Sequence, residues 1–189
     1  SAVKQNTIAD YLIRFCSFIG NSLPNFFVSL LLMYFLAIRV RIFPVIAKDV
    51  SLKSVAMPAI TLAIAMSAKY TRQVRIAVLE ELQQDYVTGA RMRGISEKKI
   101  LWKHVLPNAT LPLVTLLGLS LGSLLGGTAV VEIIYNWPGL GSMAVKAISC
   151  RDYPLVQGYV LWIALLYMGI NLLVDLSYER LDPRLKEER

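Results

Sequence analysis

Ala109-Thr-Leu-Pro-Leu-Val-Thr-Leu-Leu-Gly-Leu-Ser-Leu-Gly-Ser-Leu-Leu-Gly-Gly-Thr-Ala-Val-Val131 runs for 23 residues without a charge. A helix of about 20 such residues rises about 30 Å, the thickness of a bilayer's hydrocarbon core. Lipid offers no hydrogen bonds to an open backbone, so a run of this kind is stable there as a helix. Leu155–Val174 is a second charge-free run, and Phe15–Ile38 is a third, with Pro24 inside it and Arg39 closing it. Val55–Ala68 is shorter. It reaches a full span if its helix starts near Ser51 and runs on to Val74, with Lys53, Lys69 and Arg72 reaching their charges toward the interfaces. The reading is an all-α, polytopic membrane protein, one domain over residues 1–189, with spans at about 15–38, 51–74, 109–131 and 155–174. Pro24 is expected to kink the first of these, its freed carbonyl satisfied by neighbouring helices.

Composition agrees. Of 189 residues, 56% are hydrophobic and 17% charged, where a soluble domain carries about a quarter charged. The formal charge of +7 would suit nucleic acid or an anionic membrane, and its distribution decides between them. Residues 1–14, 69–108 and 179–189 hold fourteen Lys and Arg; residues 39–54 and 132–154 hold six. The excess of basic residues marks the cytoplasmic side, so both termini and the long loop face the cytoplasm. The basic residues lack the interleaved aromatics of a single-strand binder, and no nucleic acid is expected. Two cysteines, Cys16 and Cys150, are too few for a disulfide framework, and Cys16 reads as a small buried hydrophobe.

The long loop carries helical signals. Val74, Ala77, Val78 and Leu82 recur at helical spacing. Asp85 can cap a short helix ending at Arg93, with Gly94 as its stop. Ser96 can cap a third unit, Glu97–Leu106, which Pro107 ends or redirects. Helix, short helix, glycine turn and helix together offer a compact cytoplasmic projection.

Within it, Asp85-Tyr-Val-Thr-Gly-Ala-Arg-Met-Arg-Gly-Ile-Ser-Glu-Lys-Lys-Ile-Leu-Trp-Lys-His-Val-Leu-Pro-Asn108 resembles the cytoplasmic loop of ABC-importer permeases of the dipeptide, oligopeptide and nickel class. That family's signature is Glu-Ala-Ala, three residues, Gly, nine residues, Ile, one residue, Leu-Pro. Aligned on Gly94, Ala90, Leu106 and Pro107 match, while Thr88, Gly89 and His104 depart. Tyr-Val-x-x-Ala-Arg-x-x-Gly and His-Val-Leu-Pro-Asn are similar to the peptide/nickel branch's own version. The likeness continues through Gly126-Gly-Thr, Glu132, Trp137-Pro-Gly-Leu-Gly141, Arg151-Asp-Tyr-Pro154, Asn171-Leu-Leu-Val-Asp175 and Leu181-Asp-Pro-Arg184.

The resemblance implies part of a type I ABC-importer permease core, in the bacterial cytoplasmic (inner) membrane. The chain looks like the C-terminal two-thirds of such a permease, whose full-length relatives carry one or two further spans before it. It implies a transmembrane subunit importing peptides or nickel, free or chelated. Its expected partners are a cytoplasmic ATP-binding subunit, a second permease subunit, an extracytoplasmic substrate-binding protein and membrane lipid. Coupling to the ATP-binding subunit would fall on Asp85, Tyr86, Ala90, Arg91, Arg93, Gly94, Leu106 and Pro107, within a coupling loop at 75–108. The residue chemistry is compatible: a small Ala90 permits close approach, Gly94 permits positive φ, and Arg91 and Arg93 can pair with acids.

No catalytic residue, metal site or cofactor is expected in the chain. An intramembrane serine protease needs a base inside the membrane, whereas the single histidine, His104, lies in the cytoplasmic loop and no lysine is central to a span. No Gly-x-x-x-x-Gly-Lys-Ser/Thr occurs, so ATP hydrolysis would belong to another polypeptide. An ion channel or secondary carrier working without an ATPase is the alternative; charged residues at mid-span, which would favour it, are missing. Gly118, Gly122 and Gly126 recur every four residues and form a flat face for helix packing or for lining a pathway. Glu132 and Asp175, near span ends, read as interfacial acids, with proton relay or cation binding as the sharper possibility.

Overall fold

The protein is described by a computed structural model covering residues 6–45, 49 and 51–181. Lys4, Lys48, the basic C-terminal tail and the Asp-Pro-Arg of Leu181–Arg184 lie outside those residues. Every regular element among the described residues is a helix. In order, α1 is Ile8–Ser22, α2 Asn25–Leu32, α3 Leu52–Leu82, α4 Asp85–Met92, α5 Glu97–Ile100, α6 Leu106–Gly127, α7 Ala129–Ile134, α8 Leu140–Ser149 and α9 Tyr153–Leu181. Wider π-helical turns extend α2 through Met33–Arg39 and join α5 to α6 through Leu101–Val105.

The first expected span departs furthest from the sequence reading. It is not a kinked rod. α1 ends at Ser22, Pro24 caps α2, and the two axes bend by 103°. Proline disfavours helical backbone in the residue before it, and Leu23 accordingly leaves the helix for extended backbone. Both pieces pack on α3, with α1 along its C-terminal half and α2 along its beginning. Gly20 sits so close to α3 that a Cβ there would stand 2.8 Å from the Ala68 Cβ.

α3 begins where the sequence placed it. Ser51 caps it, accepting the Ser54 amide at 3.3 Å. Its 31 residues exceed the roughly 20 a bilayer needs, and the expected Val74–Leu82 helix is the continuation of the same helix. α9 is likewise long and apolar enough to cross a membrane. The third expected span is α6, and the helix that leads into it from α5 bends by 42° between Thr110 and Pro112. Here Pro107 does not end the helix: helical backbone continues from α5 through the wider Leu101–Val105 turns into α6, the Leu106 amide bonding to the Leu101 carbonyl. α6 stops at Gly127, and the last residues of the expected 109–131 span belong to α7. Cys16 lies exposed on α1, not buried as its apolar neighbours suggested, because that face of α1 is uncovered by other helices.

A buried polar knot joins α2, α3 and α7. The Tyr135 hydroxyl donates to the Ser29 carbonyl at 2.9 Å and lies 2.9 Å from Thr61 Oγ1, which is 3.0 Å from the Met57 carbonyl. Thr61 and Ser29 are fully buried and Tyr135 nearly so. Two hydroxyl protons serve three contacts, so the group acts as a unit. Removing one buried partner costs about 1–3 kcal/mol. Tyr135→Phe and Thr61→Val should each lower the denaturation midpoint in detergent, and the double variant should lose less than the sum of the two. Strict additivity would show that the three groups are independent.

Candidate functional site

The loop between α3 and α6 is built on its own small core. Ala77 and Val78 of the α3 overhang, Val87 and Ala90 of α4, Ile100 of α5, Val105, and Ala109 of α6 are all buried together. Burial of this kind is worth about 25 cal/mol per Å² of apolar surface, enough to dock a helix that eight residues alone could not sustain. α4 begins at Asp85 itself, with Gln84 as cap residue and no side-chain cap bond. Asp85 is therefore not the cap expected of it; its charge lies in the first turn, where it favours the helix dipole.

Gly94 ends α4 with φ +76°. The Ile95 amide bonds to the Ala90 carbonyl at 3.2 Å and the Gly94 amide to the Arg91 carbonyl at 2.9 Å. These are the two bonds of a Schellman motif, and Ile95 packs on the same core as Ala90, which completes it. Arg91 spans the turn to Glu97, with Nε–Oε1 at 2.8 Å and Nη2–Oε2 at 3.3 Å. That hydrogen bond holds the Glu97 carboxyl below its ordinary range and raises Arg91. Its contribution to the turn is present above the ordinary glutamate pKa and is lost as pH falls through the depressed one. The Tyr86 hydroxyl touches both Glu81 at the end of α3 and Asn108 at the start of α6, bracing α4 between them.

The expected coupling residues thus divide into two groups. Ala90 is buried in the chain's own core, Leu106 packs on that core, and Arg91 and Tyr86 are engaged within the loop. Asp85, Arg93, Gly94 and Pro107 are exposed. Asp85, Thr88 and Met92 share the outward face of α4, and Met92 and Trp102 are 84% and 70% exposed. Ala90 is therefore covered within this chain, and the outward surface is formed by Asp85, Thr88, Met92, Arg93 and Gly94. Sequence spacing carried a signal for it, since 85, 88 and 92 fall on the face opposite 87 and 90.

Within the helical bundle, Gly118 and Gly122 of α6 face α9. A Cβ at Gly118 would meet Val174, and one at Gly122 would meet the Tyr167 ring. Gly126 lies in the same helix, but its surroundings fall outside the described residues. Lys69 reaches Ser120 at 3.3 Å and the Tyr70 hydroxyl donates to the Leu116 carbonyl at 3.2 Å, which joins α3 to α6.

Glu132 has a structural occupation: it accepts the Thr128 hydroxyl at 2.8 Å and the Ser142 amide at 2.7 Å. It stands where an N-cap side chain would at the start of α8, a role glycine at position 139 leaves open, while Ser142 Oγ accepts the Gly139 amide at 3.2 Å. Asp175 is exposed. Among the described residues no cluster of three metal-ligating side chains occurs. Sequence reasoning missed Asp10, which is fully buried and bonds Arg14 at 2.6 Å and Arg75 at 3.3 Å. The spacing of Asp10 to Arg14 was a legible helical pair; the approach of Arg75 from α3 was not.

Over 98% of its length the chain is 38% identical to a putative peptide permease protein of Brucella ovis, of which it covers 61%. It is 38% identical to a glutathione transport system permease protein of Pectobacterium atrosepticum, covering 60% of that protein. It is 37% identical to an oligopeptide transport system permease protein of Bacillus subtilis, covering 62%. The chain thus spans about three-fifths of the length of these curated relatives. Residues 1–187 match the family of binding-protein-dependent transport system inner membrane components, and the chain belongs to that family.

Proposed function

We propose that this chain is part of a non-catalytic permease subunit of an ATP-driven importer for peptide-class solutes. A second permease subunit completes the pathway, an extracytoplasmic binding protein delivers the cargo, and a separate cytoplasmic subunit hydrolyses ATP. The observation that carries the reading is the near full-length similarity to proteins whose names specify peptide, oligopeptide and glutathione transport. None of these three relatives is named for nickel, so peptides are the favoured cargo.

The surface proposed to meet the ATP-binding subunit is the outward face of α4 with its turn: Asp85, Thr88, Met92, Arg93 and Gly94. It is exposed, it follows α3 after the short turn at 83–84, and its shape is fixed from beneath by the core that holds Val87 and Ala90. Movement of that face is therefore transmitted to α3 and α6 together.

The test is uptake by the complete permease assembled with its partners. Labelled dipeptides, oligopeptides and glutathione are offered beside nickel, with and without a functional ATP-binding subunit. ATP-dependent accumulation of at least one peptide-class solute is expected. Accumulation of nickel alone, or peptide movement that persists without the ATP-binding subunit, would overturn the reading.

A further inference from the structure

A cavity of about 340 Å³ opens between α1 and α3, and three arginines border it: Arg14, Arg72 and Arg75. Its remaining wall sets apolar Ile13, Phe18 and Ile76 beside the small polar side chains of Ser17, Asn21, Ser22 and Thr71. One acid offsets the three cations: Asp10 binds Arg14 and Arg75 and is itself fully buried. Arg72 is exposed and makes no ion pair among the described residues. The pocket therefore carries excess positive charge, with two guanidinium groups held in place by the buried carboxylate and a third unneutralised.

Its depth is set by α3. From Leu52 to Arg72 is 20 residues of continuous helix, about 30 Å, or one hydrocarbon thickness. With Leu52 at one boundary, Arg72 and Arg75 stand at the other, at the level of the lipid phosphates. Phe18 and Ile13 lie further along α1 from Asp10, on the side of the cavity toward the membrane interior, and both are exposed, Phe18 at 71%.

We propose that this cavity binds an anionic phospholipid, its phosphate on Arg72, Arg75 and Arg14 and its acyl chain along Ile13 and Phe18. Guanidinium is the cation best matched to phosphate, through paired N–H donors. Basic pockets between spans on the cytoplasmic side have the chemistry of headgroup sites. The alternative anion, free inorganic phosphate, would use the arginines but leave the apolar wall in water. The inference rests on α3 crossing the membrane and is independent of the cargo. A bound lipid would join α1 to α3 across the cavity, beside the Asp10–Arg75 bridge.

The complete permease complex is placed in nanodiscs of phosphatidylcholine with a minor fraction of phosphatidylglycerol, and the lipid retained on gentle extraction is measured by native mass spectrometry. Phosphatidylglycerol should be enriched over phosphatidylcholine. Arg72→Gln should lower that enrichment about fivefold, the effect of one basic group near an anionic headgroup, and Arg72→Lys should keep most of it. A photo-crosslinking residue at Ser17, which lines the cavity, should capture lipid in the unaltered arginine background. Excess inorganic phosphate should not displace the lipid. Equal retention of the two lipids, no response to Arg72→Gln, displacement by phosphate alone, or a Ser17 crosslink to protein would each overturn the proposal; the last would show that another polypeptide segment fills the cavity.

Discussion

Gly94→Asp should leave the permease in the membrane at near-parental levels and reduce ATP-driven uptake at least about tenfold. The abundance follows from what surrounds the residue. Gly94 has φ +76°, yet a Cβ there meets nothing within 4 Å, so the cost inside the chain is backbone strain of about 1 kcal/mol. The Val87–Ala90–Ile100 core and the Arg91–Glu97 bridge remain in place to hold α4. The loss of uptake follows from the proposed interface. A carboxylate at the tip of the turn would have to be desolvated against the ATP-binding subunit, and each 1.4 kcal/mol is a factor of ten in association.

Gly94→Asn separates the two terms. Asparagine has the same shape and tolerates a left-handed backbone, so it should import at close to the parental rate. Measurements are membrane abundance by immunoblot, co-purification of the ATP-binding subunit, and uptake. Parental uptake by the aspartate variant would remove the turn from the coupling surface. Loss of both variants from the membrane would make Gly94 a folding residue only.

What the sequence disclosed, and what it withheld, follows the range of the interactions. The charge-free runs announced α6 and α9 because lipid solvation acts residue by residue. The Ser51 start of α3 and the Gly94 stop of α4 were equally legible, since each is a local backbone event with a side-chain signature. Pro24 told that a helix would be interrupted there; the 103° angle did not follow, because it is set by α1 and α2 each packing on a different stretch of α3. Ala90 reads from the sequence as a small residue suited to close approach; that it shares a buried core with Ala77 and Val78 of α3 and Ala109 of α6, between 12 and 19 residues away in the chain, is a property of the fold. Glu132 reads from the sequence as an interfacial acid, and only the fold brings the Ser142 amide to it. The stripe of Gly118 and Gly122 was readable as a contact, but the identity of the other surface was a property of α9.

That contact yields the second large effect. Gly122→Ala should sharply reduce the amount of folded protein. A Cβ at position 122 would overlap two edge carbons of the Tyr167 ring, so α6 and α9 must separate or the ring must leave its place. Overpacking of this kind costs about 1–3 kcal/mol, and in lipid there is little hydrophobic force to restore helices pushed apart. Gly169→Ala, in α9 itself, is the matched control: nothing lies within 4 Å of a Cβ there. Replacing a helical glycine by alanine should then be neutral or stabilise by up to about 1 kcal/mol. Tyr167→Ala alone should destabilise by opening a gap, yet combined with Gly122→Ala it should recover part of the loss, because the added methyl enters space the ring has vacated. Folded yield by size-exclusion chromatography and thermal midpoints in detergent read all four variants. A Gly122→Ala protein as stable as its parent, or a double variant showing the full sum of both losses, would mean that the helices do not meet at this pair.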